Sequence, residues 1–132
     1  MLVLRHVVAA IRRRWPRVDI LVRGDSHYGR PEAMSWCERN RVAYILGLAG
    51  NKVLLSRVAG LAEDAAIGRV EREATKVRRY GEFAYAAKTW SAERRVIARI
   101  EASDRGSDTR FIVTNLTGTP QWLYETVYCA RG

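Results

Sequence analysis

The sequence predicts an α/β fold, and three observations carry that expectation. Two short apolar runs, 18–23 and 42–48, flank a segment of helical periodicity, the pattern of a strand–helix–strand unit. From about Tyr80 to Leu116 apolar residues recur with period two, as strands require. Helical spacing before the first strand, after the second and at the chain's end completes the order: helix, strand, helix, strand, helix, then a β-rich stretch and a C-terminal helix.

Leu4, Val7, Val8, Ile11 and Trp15 fall on one helical face, and Pro16 stops the pattern. Arg12, Arg13 and Arg14 close that helix, where cations suit its dipole; they read as a solvated end or as a phosphate contact. Residues 18–23 are rich in β-branched side chains and read as a buried strand. A polar loop from Gly24 to Arg30 leads to a helix with Pro31 at its first position. Ala33, Met34 and Cys37 face inward on it, and it stops at Asn40. Residues 42–48 form the second strand. Parallel strands joined by a helix place the loop after the first strand at its carboxyl end, where open α/β sheets put their chemistry.

Asn51 suits the cap of a helix over 52–65, with Leu54, Val58, Leu61 and Ala65 on one face. Gly68 weakens any continuation, and the mixed charges of 69–79 show no clear period. Phe83, Tyr85, Ala87 and Thr89 alternate with Ala84, Ala86 and Lys88 in a strand pattern. Ser91, Ala92 and Glu93 turn, then Val96, Ala98 and Ile100 alternate again. Residues 104–108 are a turn by composition and 109–116 a further strand. Thr119-Pro120 has the form of a cap and first-turn proline, opening a helix to the end of the chain. The ending Tyr128-Cys129-Ala130-Arg131-Gly132 has no helix stop beyond a lone Gly and reads as cut.

The 132 residues make one domain's worth of chain. No apolar run reaches the ~18–20 residues needed to cross a bilayer, so no membrane partner is expected. The first residues lack the basic region and cleavage site of a secretory leader. Cys37 and Cys129 form no Cys-x-x-Cys pair, which argues against a disulfide framework or structural zinc and makes a reducing cytoplasm the expected compartment. Net charge is +9 and the isoelectric point about 10.2, which favours a polyanionic partner, nucleic acid foremost. All of the 23 basic residues except Lys52, Lys76 and Lys88 are Arg, whose planar fork suits phosphate.

Asp25 is the residue with chemistry to offer. On chemistry alone, an Asp after Gly in a βα loop is a turn residue or a helix cap. At the mouth of a strand in a very basic chain, its carboxylate can also hold Mg²⁺, which takes hard oxygen ligands and keeps positions open for phosphate. Two-metal phosphoryl transfer needs several such carboxylates, and no second one is well placed: Asp104 and Asp108 fall in the polar turn, Glu32 and Glu38 on a helix's solvent face. Other motifs fare worse. Arg23-Gly24-Asp25 as an adhesion tripeptide suits neither the strand before it nor the charge. Ser26 and His27 are adjacent and poorly placed as a nucleophile–base pair, and no glycine-rich phosphate loop is present.

The runs Leu21-Val22-Arg23-Gly24-Asp25-Ser26-His27-Tyr28, Pro31-Glu32-Ala33-Met34-Ser35-Trp36-Cys37-Glu38 and Tyr44-Ile45-Leu46-Gly47-Leu48-Ala49 resemble bacterial insertion-sequence transposases of the DDE type. The likeness continues through 95–100 and 110–116. Tyr128-Cys129-Ala130-Arg131 is similar to the start of the YREK signature, Tyr-(2)-Arg-(3)-Glu-(6)-Lys; Tyr128 and Arg131 match, and the signature's Glu falls beyond Gly132. Tyr and Arg three residues apart share a helical face, although an amphipathic end-helix has the same spacing.

The resemblance implies a partial RNase H-like fold over 1–68, a β-rich insertion over 69–117 and, over 118–132, the start of the helix that carries the catalytic Glu. It makes Asp25 the second Asp of the catalytic set and a metal ligand, with two Mg²⁺ in the intact enzyme. It makes Arg131 and Tyr128, and more weakly Arg23, DNA-binding residues, with transposon ends and target DNA as partners. The chain is then expected to be an interior piece of a catalytic domain, inactive alone. The alternatives are a non-enzymatic, non-specific nucleic-acid-binding protein, or the product of a decayed reading frame that self-associates through an open strand edge.

Overall fold

Pro31 and the apolar runs around it do form a strand–helix–strand unit. The computed structural model describes residues 1–129. Helix α1 (Leu2–Arg14) precedes β1 (Leu21–Gly24), α2 (Pro31–Arg39) and β2 (Ala43–Leu48). Helices α3 (Lys52–Arg57) and α4 (Ala59–Glu71) follow, then β3 (Lys76–Tyr85), β4 (Arg94–Ser103) and β5 (Gly106–Thr114). The described chain closes with α5 (Pro120–Trp122) and a π-helical segment, Leu123–Tyr128. The five strands form one sheet in the order β1-β2-β5-β4-β3. Only β1 and β2 run parallel; the remaining pairs are antiparallel. The β-rich stretch is thus hydrogen-bonded into the same sheet as the strand–helix–strand unit.

Two of the caps form as their residue types dictate. The Asn51 side chain accepts from the Leu54 N–H at 2.9 Å, and the Thr119 hydroxyl accepts from the Trp122 N–H at 3.3 Å, each satisfying an otherwise unpaired helix donor. The single helix expected over 52–65 is broken at Val58, and α4 runs through Gly68 to Glu71. Gly68 is tolerated because the Arg79 guanidinium lies where its side chain would be, 2.9 Å from an added methyl.

The sheet is covered unequally. One face packs against the helices that follow β1 and β2, burying Met34, Cys37, Tyr44, Leu54, Ile100 and Val113 among others. On the other face Leu123 and Tyr124 of the π-helical segment sit on Ile45, Ile97 and Ile112.

Three expectations are corrected. The first strand is shorter than 18–23 and not buried: Leu21 and Arg23 are exposed, because β1 is an edge strand with β2 as its one neighbour. On α1 only Val8 is fully buried, and Val7 and Trp15 are exposed. The helix covers less of the sheet than its apolar stripe would allow. The turn expected over 104–108 is tighter, since Ser103 pairs with Gly106 at φ +105°, a conformation glycine adopts without strain. Asp108 therefore lies in β5, opposite Glu101.

Arg12 donates to the carbonyls of Asn40 and Arg41 just past α2, so it is a structural contact between α1 and the end of α2. Glu38 is likewise not a purely solvent-facing residue. The Arg94 guanidinium, buried on β4, grips its carboxylate through Nε at 2.8 Å and Nη2 at 2.9 Å, and the Tyr44 hydroxyl donates to it at 2.7 Å. The Arg94 fork holds the Glu38 carboxyl below its ordinary value, against the opposing effect of burial. A depressed folded-state value stabilises the fold above the unfolded-state value, and that contribution is lost as pH falls through the folded one. Glu38→Gln should cost about 1–2 kcal/mol at neutral pH, a charge-assisted bond discounted for partial exposure. The gap to wild type should close as pH is lowered into the acid range. Urea melts at a series of pH values check this; a gap that stays constant with pH would remove the charge from the explanation.

Candidate functional site

The carboxyl ends of β1 and β2 converge on a glycine. Gly47 of β2 is buried beneath the loop that follows β1. A methyl added there would lie 2.7 Å from the Tyr128 hydroxyl, 2.9 Å from the Ser26 backbone nitrogen and 3.1 Å from the Asp25 carbonyl carbon. Gly29 at the loop's far end rests on the same place, where its own added methyl would meet the Gly47 carbonyl at 2.7 Å. Side chains are missing at both positions, and so the loop lies flat on the strand and Tyr128 reaches it.

Within that loop Asp25 has two functions. Its Oδ1 accepts from the His27 N–H at 3.0 Å, and its carbonyl accepts from the Tyr28 N–H at 3.0 Å. This is an Asx-type turn, the role chemistry alone assigns to such a residue. One carboxylate oxygen takes no part in it, and the side chain is exposed.

Two adjoining hollows open beside Asp25. One, of about 360 Å³, is lined by Asp25, Gly47, Asp108, Arg110 and Tyr128 among others. The second, of about 370 Å³, is lined by Arg23, Asp25, Arg110, Tyr124, Tyr128 and Cys129. Asp25, Arg110 and Tyr128 border both. A larger hollow of about 510 Å³ between α1 and β1 is mostly apolar and has no carboxylate in its wall, which leaves it without comparable chemistry.

The expected site residues are placed unequally. Asp25, Arg23 and Tyr128 come together around the second hollow. The Arg23 guanidinium donates to the Val127 carbonyl at 3.2 Å, so it also anchors the C-terminal segment. Tyr128 is half-buried, and burial first, then the nearby Cys129 and Asp25, push its hydroxyl above the ordinary tyrosine value. Arg131 lies outside the described residues.

Asp108 and Arg110 were missed. Both stand on β5 with their side chains on the face of Ile112 and Arg99. Their signal was present: 108, 110 and 112 alternate with Thr109, Phe111 and Val113, a strand pattern begun one step before 109. Asp108 brings a second carboxylate to the hollow, but that group is held by the buried Arg99. Hydrogen bonding to Arg99 above all, with help from Arg110, keeps its carboxyl below the ordinary value. Among the described residues no three His, Cys, Asp or Glu side chains converge as a metal site. With Asp108 paired, the hollow offers one uncommitted carboxylate, Asp25, too few for a pair of divalent ions.

A family model described as Transposase DDE domain group 1 matches residues 1–132. The chain belongs to this transposase DDE domain family. Its five-stranded mixed sheet with helices is consistent with a partial RNase H-like DDE domain. No curated protein and no solved structure matches the chain. DDE transposases act on DNA and usually use divalent metal. No helix among the described residues of this transposase domain is long and apolar enough to cross a membrane.

The floor under Asp25 is testable in this transposase domain. Gly47→Ala should cost about 1–3 kcal/mol, the usual range for overpacking, and loosen both the Asp25 loop and Tyr128. Thermal melts measure the first effect, and amide exchange at residues 25–29 the second. Unchanged stability together with unchanged exchange would show that the contact is not tight.

Proposed function

We propose that the chain is part of the catalytic domain of an insertion-sequence DDE transposase of the YREK group, and that alone it binds DNA without cutting it. The observation that carries this is the gathering of Asp25, Arg23 and Tyr128, from opposite ends of the described chain, around one hollow at the end of the parallel strands. On this reading the intact enzyme cuts DNA at the ends of its element and joins the free 3′ hydroxyls to target DNA. Asp25 is its second Asp, and the first Asp and the Glu come from outside this chain. The division into an RNase H-like part (1–68), a β-rich insertion (69–117) and the start of the Glu helix (118–132) follows from the same likeness; a cytoplasmic location follows from the two free cysteines, Cys37 and Cys129.

Asp25 is the residue of this chain that would ligate Mg²⁺ in the intact enzyme. Because the residues present do not make a site for two ions, no step of strand transfer is assigned to them. Arg23, Tyr128 and Arg131 are DNA-binding residues on this reading, and the net charge of +9 supports a general affinity for the backbone.

Two outcomes follow for DNA. The purified chain should bind unrelated duplexes alike, with a dissociation constant of roughly 10⁻⁴–10⁻⁶ M at physiological salt and a steep loss of affinity as salt rises. Incubated with Mg²⁺ and supercoiled plasmid, it should give no nicked product above a protein-free blank. Mg²⁺-dependent nicking abolished by Asp25→Asn would falsify the claim that the chain is inactive alone. Salt-insensitive binding would sink the DNA reading as a whole.

Self-association is the third element of the proposal. β1 leaves its outer edge without a strand, and Leu21 and Val18 beside it are exposed. An uncovered edge is a template for another copy of the same edge, paired about a two-fold axis. Sedimentation should give a mass that grows with concentration, and Leu21→Lys should shift it toward monomer. A monomer at every concentration would remove this part.

A further inference from the structure

We propose that Arg110 is a DNA-phosphate contact of the hollow beside Asp25, whose wall it shares with that carboxylate. The inference rests on the DNA-binding reading above and adds a residue which that reading does not contain.

Arg110 stands in β5 directly across from Arg99 of β4. Like charges facing each other across a strand pair are unfavourable unless something neutralises them. One carboxylate, Asp108, lies between, and Arg99 has the closer claim on it: Arg99 is buried, and its second partner is Glu101. Arg110 approaches Asp108 only through Nε at 3.4 Å, with its side chain 68% exposed. Exposed pairs of this kind contribute little to stability. The fold therefore has small use for the Arg110 charge, while its placement has a large consequence. Arg110 borders both hollows that Asp25 borders. A DNA phosphate brought to Asp25 is repelled by that carboxylate, and a guanidinium in the same hollow offsets the repulsion. Its planar fork can also fix the phosphate through two parallel hydrogen bonds.

The test is anisotropy of a labelled duplex titrated with the full 132-residue chain over a series of salt concentrations. Arg110→Ala, Arg110→Lys and, as a surface control on α4's far end, Arg72→Ala are compared with wild type. Arg110→Ala should weaken binding on the order of 3–10-fold, equally for unrelated sequences, and lower the slope of log affinity against log salt by about 1. Arg110→Lys should restore most of that slope, whereas Arg72→Ala should leave it unchanged. Melting curves establish that each variant is folded, and a merely structural loss would not change the slope. If wild type binds with a steep slope and Arg110→Ala matches it, Arg110 is not a contact and the DNA reading survives. If wild type does not bind even in low salt, both readings fall.

Discussion

Asn115 joins the two halves of this protein. It follows β5 with no backbone ladder left to make, and its side-chain amide takes over: Oδ1 accepts from the Tyr44 N–H at 2.8 Å and Nδ2 donates to the Val42 carbonyl at 3.1 Å. Next to it the Thr114 hydroxyl donates to the Tyr44 carbonyl at 2.7 Å and accepts from the Leu116 N–H at 3.0 Å. These bonds fix β5 on β2 in a single register, Ile45 against Thr114 and Gly47 against Ile112. Side chains along a strand alternate between faces, so a slip of one residue would turn Arg110 and Asp108 away from Asp25 and bury them among the helices. The hollow exists because this seam is fixed.

The two faces of the sheet then divide the work. The helix-covered face is apolar apart from the Arg94–Glu38–Tyr44 group and Arg79, which binds Asp64 of α4 at 2.9 Å. The opposite face is apolar beneath the π-helical segment and charged beyond it. There Glu101 receives Lys76 at 3.2 Å, Arg78 at 3.1 Å and Arg99 at 3.0 Å. The Arg99 guanidinium also lies 5.6 Å from the centre of the Tyr124 ring. A buried guanidinium is costly unless paired, and Arg99 meets that need by holding Glu101 and Asp108 together. The consequence reaches the site. Asp108 is near Asp25, yet it is committed to the sheet, and this is why a hollow with two carboxylates in its wall offers one.

What the sequence made legible were features with local causes. Pro31, Asn51 and Thr119-Pro120 mark helix starts through their own backbone chemistry, and each start lies where it was expected. The apolar run of β2, buried on both faces, was read within a residue. The features that were missed depend on partners far along the chain. Residues 18–23 look like a buried strand because nothing in them records that β1 has one neighbour. Gly68 looks like a helix end unless Arg79 is known to fill the space beside it. Asp108 looks like a turn residue until the hairpin closes at Gly106. That Asp25 shares a hollow with Arg110 was not legible, since Arg110 joins it only through the β2–β5 register.

The distribution of arginine sharpens what the net charge means. Arg12 binds carbonyls past α2, Arg23 holds the Val127 carbonyl, and Arg95 donates to the Leu116 and Gly118 carbonyls at 3.0 and 2.7 Å. Arg94 is fixed on Glu38 and Arg99 on Glu101 and Asp108. Arg23 is exposed and, among the described residues, makes only that one hydrogen bond; the other four have their donors turned inward, toward groups of the chain itself. They raise the net charge, and hence the long-range attraction for a polyanion, but they are poorly placed to touch one. On the DNA-binding reading proposed above, attraction and contact fall to different residues: the whole surplus of +9 would draw DNA in, and a much smaller set of outward-facing guanidinia would decide where it rests. Arg110, exposed and weakly held beside Asp25, is in that second set.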